Sequence, residues 1–369
     1  MVNQPPMPAL TMRALRATPV EVPLNCVLGT SQGVLRQVPL LLIDLETEQG
    51  VTGRTWLFCY LRPAAPAIAS LLGEVERLTK GEPLDPAALW AKLMRRFTLI
   101  GVQGIVRMAV AGFDTACWDA LAQAAGQPLC RLLGAAPRPI PAYNSCGLGL
   151  MDDTSALAAE AETLLAGGFR AVKLRLGYPT LRQDLAAVQA VRRRIGAEIK
   201  LMVDYNQALS REQAFERGRA LDAEDIYWLE EPIRHDDYAG AAALARELKT
   251  PIQLGENFSL PAAMAEAIER RAADYVMPDL ERIGGVTGWR AASALAAINR
   301  IPMSSHLFPE VSAHLLAATP TCHFLEYVDW ANVLLAEPLA IMDGHAVIPE
   351  RAGNGLQWDE AAIARYRFD

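Results

Sequence analysis

The chain has 369 residues, 51% of them apolar and 21% charged, with 35 Lys and Arg against 42 Asp and Glu for a formal charge of −7. That composition supports a large buried core and excludes an intrinsically disordered chain. The acidic balance argues against a nucleic-acid or anionic-membrane surface, either of which needs clustered Lys and Arg. No apolar run approaches the ~20 residues of a membrane span. The proline-rich start, Met1 to Ala17, lacks the basic-then-apolar pattern of a leader. Cys26, Cys59, Cys117, Cys130, Cys146 and Cys322 are scattered with no C-x-x-C pair, so a reduced, cytoplasmic setting is expected. At ~150 residues per domain, the length suggests two domains or one large barrel with an attachment.

The first 130 residues read as an α+β module. Val38–Glu46 and Val51–Tyr60 form a predicted hairpin around Glu48-Gln-Gly50, and helical patterns follow over Ala64–Lys80, Pro86–Arg96 and Gly104–Ala125. From 131 to 335 short apolar runs alternate with helical stretches. Strands are predicted at Pro139–Tyr143, Arg170–Leu176, Ile199–Asp204, Ile226–Glu230, Ile252–Glu256, Tyr275–Asp279, Ile301–His306 and His323–Glu326. Helices are predicted between them at Thr154–Ala166, Leu181–Arg194, Arg211–Leu221, Tyr238–Leu248, Pro261–Arg271, Val286–Ala297 and Pro309–Ala318. Such a βα repeat closes into a parallel barrel of TIM type more readily than into an open sheet. The tail, 336–369, shows no eighth helix and reads as a return to the first module.

In a parallel barrel the chemistry sits where the strands end. The second strand ends Lys173-Leu-Arg175, with both bases on one face by period-2 alternation. Asp204, Glu230 and Glu256 end three adjacent strands, so their carboxylates should converge. Three like charges repel unless a cation holds them, and all-oxygen ligation suits magnesium. Glu231 should point the other way and serve structure. Asp279 and His306 end neighbouring strands. An Asp on one imidazole nitrogen fixes the tautomer and leaves the other nitrogen as a general base. Glu326 ends the last strand. His235, His314, His323 and His345 show no such logic and read as ordinary core or surface residues. The Gly147-x-Gly149 and Gly284-Gly285 pairs lack the strand–glycine–helix context of a dinucleotide site and read as turns.

Together these segments resemble the enolase superfamily, specifically its mandelate racemase group. RAVKLRLGYP, LMVDYNQ, WLEEP, QLGEN, MPDLERIGGVTGW and PMSSHLFPEVSAHLLAATPTCHFLE are each similar to that group's motifs, in order, over nearly the whole chain. The resemblance implies a (β/α)7β barrel (131–335) under an α+β cap (1–130) that the tail completes. It implies Mg2+ on Asp204, Glu230 and Glu256, and removal of the proton α to a carboxylate. It also makes Lys173 a contact to the substrate carboxylate, the Asp279–His306 pair a base on one face, and Glu326 a protonated donor. Asn206 carries over as a polar contact near the metal. Homo-oligomeric assembly is expected by analogy with the group alone.

One position departs from the racemase pattern. Where that pattern has a second lysine base for the opposite substrate face, this chain has Arg175. Making a guanidinium neutral at pH 7 costs about 7.5 kcal/mol, from ~5.5 pKa units at ~1.36 each. One base and one cationic clamp remain, which favours dehydration of a hydroxy or sugar acid over two-base racemisation of a mandelate-like acid. The apolar stretches Pro23–Leu28 and Trp56–Phe58, with Leu307, speak for an aromatic or short-chain substrate. Trp56 and Leu307 are therefore candidate pocket walls. A histidine-metal hydrolase would need an H-x-H on the first barrel strand, which Pro139–Ser145 lacks. A Schiff-base aldolase would need a neutral Lys173, for which three acids are poor neighbours. A non-catalytic binding protein would be expected to have lost the ligands or the base.

Overall fold

A computed structural model describes residues 9–368. The cap opens with three antiparallel strands, β1 (Met12–Thr30), β2 (Gly33–Thr47) and β3 (Thr52–Phe58), in that spatial order. The helices α1 (Ala64–Thr79), α2 (Pro86–Arg96) and α3 (Ile105–Ala124) follow, then the short α4 (Leu129–Leu132). The run VPLLLIDL in β2 is apolar without alternation because both faces of the sheet are covered. Leu41, Ile43 and Leu45 pack into the cap's own core with α1 to α3. Leu40 and Leu42 share the other face with Trp56 and Phe58 in the core that continues into the barrel. The strand β1 was not predicted. Its prolines, Pro19 and Pro23, break the pattern, and they are tolerated because β1 is an edge strand.

The barrel strands are β4 (Ile140–Asn144), β5 (Ala171–Arg175), β6 (Lys200–Asp204), β7 (Ile226–Glu230), β8 (Ile252–Leu254), β9 (Tyr275–Val276) and β10 (Leu325–Tyr327), all parallel, with β4 to β9 hydrogen-bonded in sequence. β10 pairs back onto β4 through Leu325–Ala142, Glu326–Tyr143 and Tyr327–Asn144, which closes the ring. The predicted strand Ile301–His306 is reduced to single bridges, Met303 to Val276 and Cys322, and His306 to Asp279. Pro278 and Pro302 supply no N–H to the ladder, which is why pairing here is sparse. The helices α5 (Thr154–Thr163), α6 (Leu181–Ile195), α7 (Arg211–Leu221), α8 (Tyr238–Glu247), α9 (Leu260–Glu269), α10 (Leu280–Ile283), α11 (Gly285–Asn299) and α12 (Pro309–Ala317) fill the crossovers. The result is a (β/α)7β barrel with an N-terminal capping domain.

The tail divides rather than returning whole to the cap as expected. The hairpin of β11 (Ala340–Met342) and β12 (His345–Val347) pairs with the barrel strand β4 at Ile140 and Pro141. Only beyond it does the chain reach the cap, through Trp358 Nε1 on Asp44 Oδ1 at 3.0 Å and α13 (Glu360–Tyr366) against β1. Ile140 and Pro141 offer an unpaired strand start that the hairpin satisfies. Among the described residues no helix is long and apolar enough to cross a membrane.

Candidate active site

A cavity of about 470 Å³ opens where the barrel strands end beneath the cap. Lys173, Arg175, Asp204, Glu256, His306 and Glu326 line it from the barrel, and the β1–β2 hairpin with Phe58, Tyr60 and Leu61 lines it from the cap. Asp204, Glu230 and Glu256 each bring a carboxylate oxygen within 4.8 Å of the others. The geometry follows from local turns. After Asp204 the backbone enters the left-handed region at Asn206 (φ 44°) and Gln207 (φ 66°), so that both nitrogens of Asn206 donate to the Asp204 carboxylate. Before Glu256, Gly255 takes φ 141°, and a Cβ there would lie 2.7 Å from Met277 N. Glycine is what lets the strand turn its acid inward.

Lys173 is buried among acids, with Nζ 2.8 Å from Glu326 Oε1, 2.9 Å from Glu230 Oε1 and 3.5 Å from Asp204 Oδ2. Burial pulls its pKa down, but Glu230, Glu326 and Asp204 outweigh burial and hold it above the ordinary lysine value, as an ammonium. Arg175 lies with Nε 3.6 Å from Asp204 Oδ2 and donates Nη2 to Ser145 Oγ at 3.1 Å. Its buried Nε and Nη1 have no hydrogen-bond partner. Glu230 is pushed up to about 8, first by burial and then by Asp204, against the pull of Lys173. The acids are therefore short of positive charge, and an all-oxygen donor set of this kind fits a hard divalent cation.

His306 Nδ1 lies 2.7 Å from Asp279 Oδ2, and its Nε2 lies 3.3 Å from Glu256 Oε2 and 3.8 Å from Glu326 Oε2. Burial favours the neutral ring, but Glu256, Glu326 and Asp279 raise its pKa to about 9. Leu307 (φ 52°) and Phe308 (φ 49°) follow in left-handed backbone. Such non-glycine residues cost about 1–3 kcal/mol each, and the turn directs the Leu307 N–H onto Glu326 Oε2 at 2.9 Å. Glu326 departs from the expected neutral acid. Burial raises its pKa, yet Lys173, His306 and Arg175 outweigh burial and hold it below the ordinary value, as a carboxylate.

Of the expected substrate contacts, Asn206 and Leu307 line the cavity. Trp56 does not. It is 1% exposed, donates Nε1 to Glu310 Oε2 and packs 4.5 Å from Phe308, one layer below the mouth. Phe58, two residues on along the same face of β3, takes the wall position instead. Tyr60, Asn257, Arg282, Val328 and Trp330, which the sequence pattern does not single out, also line the cavity. Asn257 follows a strand-end acid and Arg282 lies three residues after Asp279, so adjacency to the motif acids was the available signal. Tyr60 and Trp330 carried none, since they reach the mouth from the cap and from beyond the last strand. His314 and His323 are internal, pushed down to about 4 chiefly by burial.

Residues 12–134 match the family model for the mandelate racemase / muconate lactonizing enzyme N-terminal domain, and residues 156–362 match the enolase C-terminal domain-like model. The chain is 32% identical over 336 residues to L-talarate/galactarate dehydratase of Salmonella typhimurium, covering 91% of this chain and 84% of that one. It is 30% identical over 339 residues to 3,6-anhydro-alpha-L-galactonate cycloisomerase of Streptomyces coelicolor, covering 91% and 93%. It superposes on a Bradyrhizobium enolase, crystallised with magnesium and mandelic acid, with a TM-score of 0.94 at 41% identity, covering 98% of this chain and all of that one.

Proposed function

The chain belongs to the mandelate racemase / muconate lactonizing enzyme family, as a lyase or isomerase, and from that premise we propose a magnesium-dependent, one-base dehydratase of a 2,3-dihydroxy carboxylate. Asp204, Glu230 and Glu256 would hold the ion, which when bound supplies positive charge to the substrate carboxyl group. Lys173, fixed as an ammonium, faces the same group and stabilises charge that grows as the α-proton leaves. With a cation on Glu256 offsetting the carboxylate that raises its pKa, His306 Nε2 would be unprotonated and takes that proton, with Asp279 on Nδ1 holding the ring. The electrons of the C–H bond form a C=C bond as the β-carbon–oxygen bond breaks. The new imidazolium returns its proton to the departing hydroxide, so one water leaves and the resulting enol becomes a 2-keto acid. Arg175, with two unpartnered donors at the cavity, binds substrate oxygens without exchanging protons.

The observation that carries this reading is the guanidinium where a racemase needs its second base, beside a Lys173 that its acid neighbours keep charged. A second reading, racemisation or epimerisation of a mandelate-like 2-hydroxy acid, draws on the apolar wall of Phe58, Leu61, Val328 and Trp330 and on the mandelic acid bound by the Bradyrhizobium relative. Incubation of hydroxy-acid and sugar-acid panels with magnesium in D2O separates the two. Dehydration yields a 2-keto acid labelled at carbon 3. Deuterium at carbon 2 of recovered acid in both configurations, with no keto acid, refutes the lyase. In the dehydratase His306→Asn lowers turnover by about 10²–10⁴-fold.

A further inference from the structure

The three acids come from different strands, yet each is met by a neutral side-chain N–H from its own segment. Asn206 Nδ2 donates to Asp204 Oδ2 at 3.1 Å, Trp228 Nε1 to Glu230 Oε2 at 3.2 Å, and Asn257 Nδ2 to Glu256 Oε1 at 3.1 Å. Neutral donors suit a cation site. They hold a carboxylate ionised and oriented in a low-dielectric interior, whereas a further Lys or Arg would compete with the ion for the same charge.

Trp228 and Asn257 are themselves held. Trp228 stands two residues before Glu230 on the same face of β7 and is fully buried. Its indole packs edge-on to Tyr143 at 5.4 Å and to Phe324 at 6.2 Å, in an aromatic layer below the acids. That layer fixes the ring, while Lys173 occupies the other oxygen of Glu230. Asn257 accepts from the Arg282 guanidinium, which lies 4.7 Å from the centre of the Tyr60 ring. The same Asn257 amide also donates to Glu231 Oε2 at 2.8 Å. Glu231 is buried at φ 33°, so a strained residue serves as an anchor for the clamp on Glu256.

We infer that Trp228 and Asn257 are positioning residues for metal binding, setting the orientation of Glu230 and Glu256 before an ion arrives. This rests on the reading of the acid trio as a magnesium site. The test is calorimetric magnesium titration and thermal melting of the full chain, comparing wild type with Trp228→Phe and Asn257→Leu. Each variant is expected to bind magnesium about 10–100-fold more weakly and to lose most of the magnesium-induced rise in melting temperature. A residue needed for packing alone would lower the metal-free melting temperature and leave the affinity at the wild-type value, and that result overturns the inference. Should Trp228→Phe fail to fold, the partly exposed Asn257 site decides alone. A wild type that binds no magnesium overturns the metal reading itself, and this inference with it.

Discussion

At Arg175 the choice of one side chain divides two chemistries. A lysine there could be driven neutral by burial and by the neighbouring Lys173 ammonium, whereas a guanidinium is protonated at any working pH. Arg175→Lys is therefore expected to raise α-proton exchange on the face opposite His306 by at least about tenfold, read by NMR in D2O as label entering both configurations of the acid. No change would mean that the missing lysine is not what limits exchange on that face. Glu326 makes a related point about charge. Its predicted neutrality came from the resemblance, but a carboxyl 2.8 Å from Lys173 Nζ that also accepts the Leu307 N–H is held as an anion.

Among the elements, the contact between α3 and the start of α11 joins the cap to the barrel. Asp114 on α3 accepts from the Thr287 N–H at 2.9 Å and from the Thr287 hydroxyl, and Trp118 Nε1 donates to the same hydroxyl at 3.0 Å. Gly285 lies in left-handed backbone (φ 74°), where a Cβ would sit 2.5 Å from Asp114 Oδ2 and 2.8 Å from the Ala111 carbonyl oxygen. Of the Gly284-Gly285 pair, expected to be a turn, Gly284 is the turn residue while Gly285 is the first residue of α11 and also a contact surface. Gly285→Ala is expected to destabilise the fold by about 1–3 kcal/mol, measured as a lower denaturation midpoint. A midpoint equal to wild type would show that the interface yields without cost.

For the molecule as a whole, the buried acids of the cap predict how stability follows pH. Asp114 is raised from 3.8 to about 7 and Asp119 from 3.8 to about 6, each chiefly by burial and against the hydrogen bonds they accept. Their folded pKa values exceed the unfolded ones, so folding takes up protons between those values. Their contribution to stability is present in full at low pH and is lost as pH rises from about 4 through 7. The expected result is that Asp114→Asn, though less stable at acid pH, loses less stability than wild type between pH 5 and pH 8 in denaturant titrations. Parallel losses in the two proteins would show that Asp114 does not titrate in that range.

Much of this was legible along the chain because a parallel barrel is a local repeat. Most barrel strands and helices announce themselves by periodicity, as Ile226–Glu230 and Arg211–Leu221 did to the residue, and charged side chains at strand ends, Arg175 and Asp204 among them, line the mouth. That determined the barrel, the convergence of Asp204, Glu230 and Glu256, and the pairing of His306 with Asp279. What the chain could not carry is whatever depends on distant segments meeting. The edge strand β1, the pairing of the tail hairpin with β4, the depth of Trp56, the arrival of Tyr60 and Trp330 at the cavity, and the charge on Glu326 were decided only by the tertiary structure. The physical reason is that periodicity records which face of an element is buried, whereas what that face meets, and how many charges surround it, is set by the packing of cap on barrel.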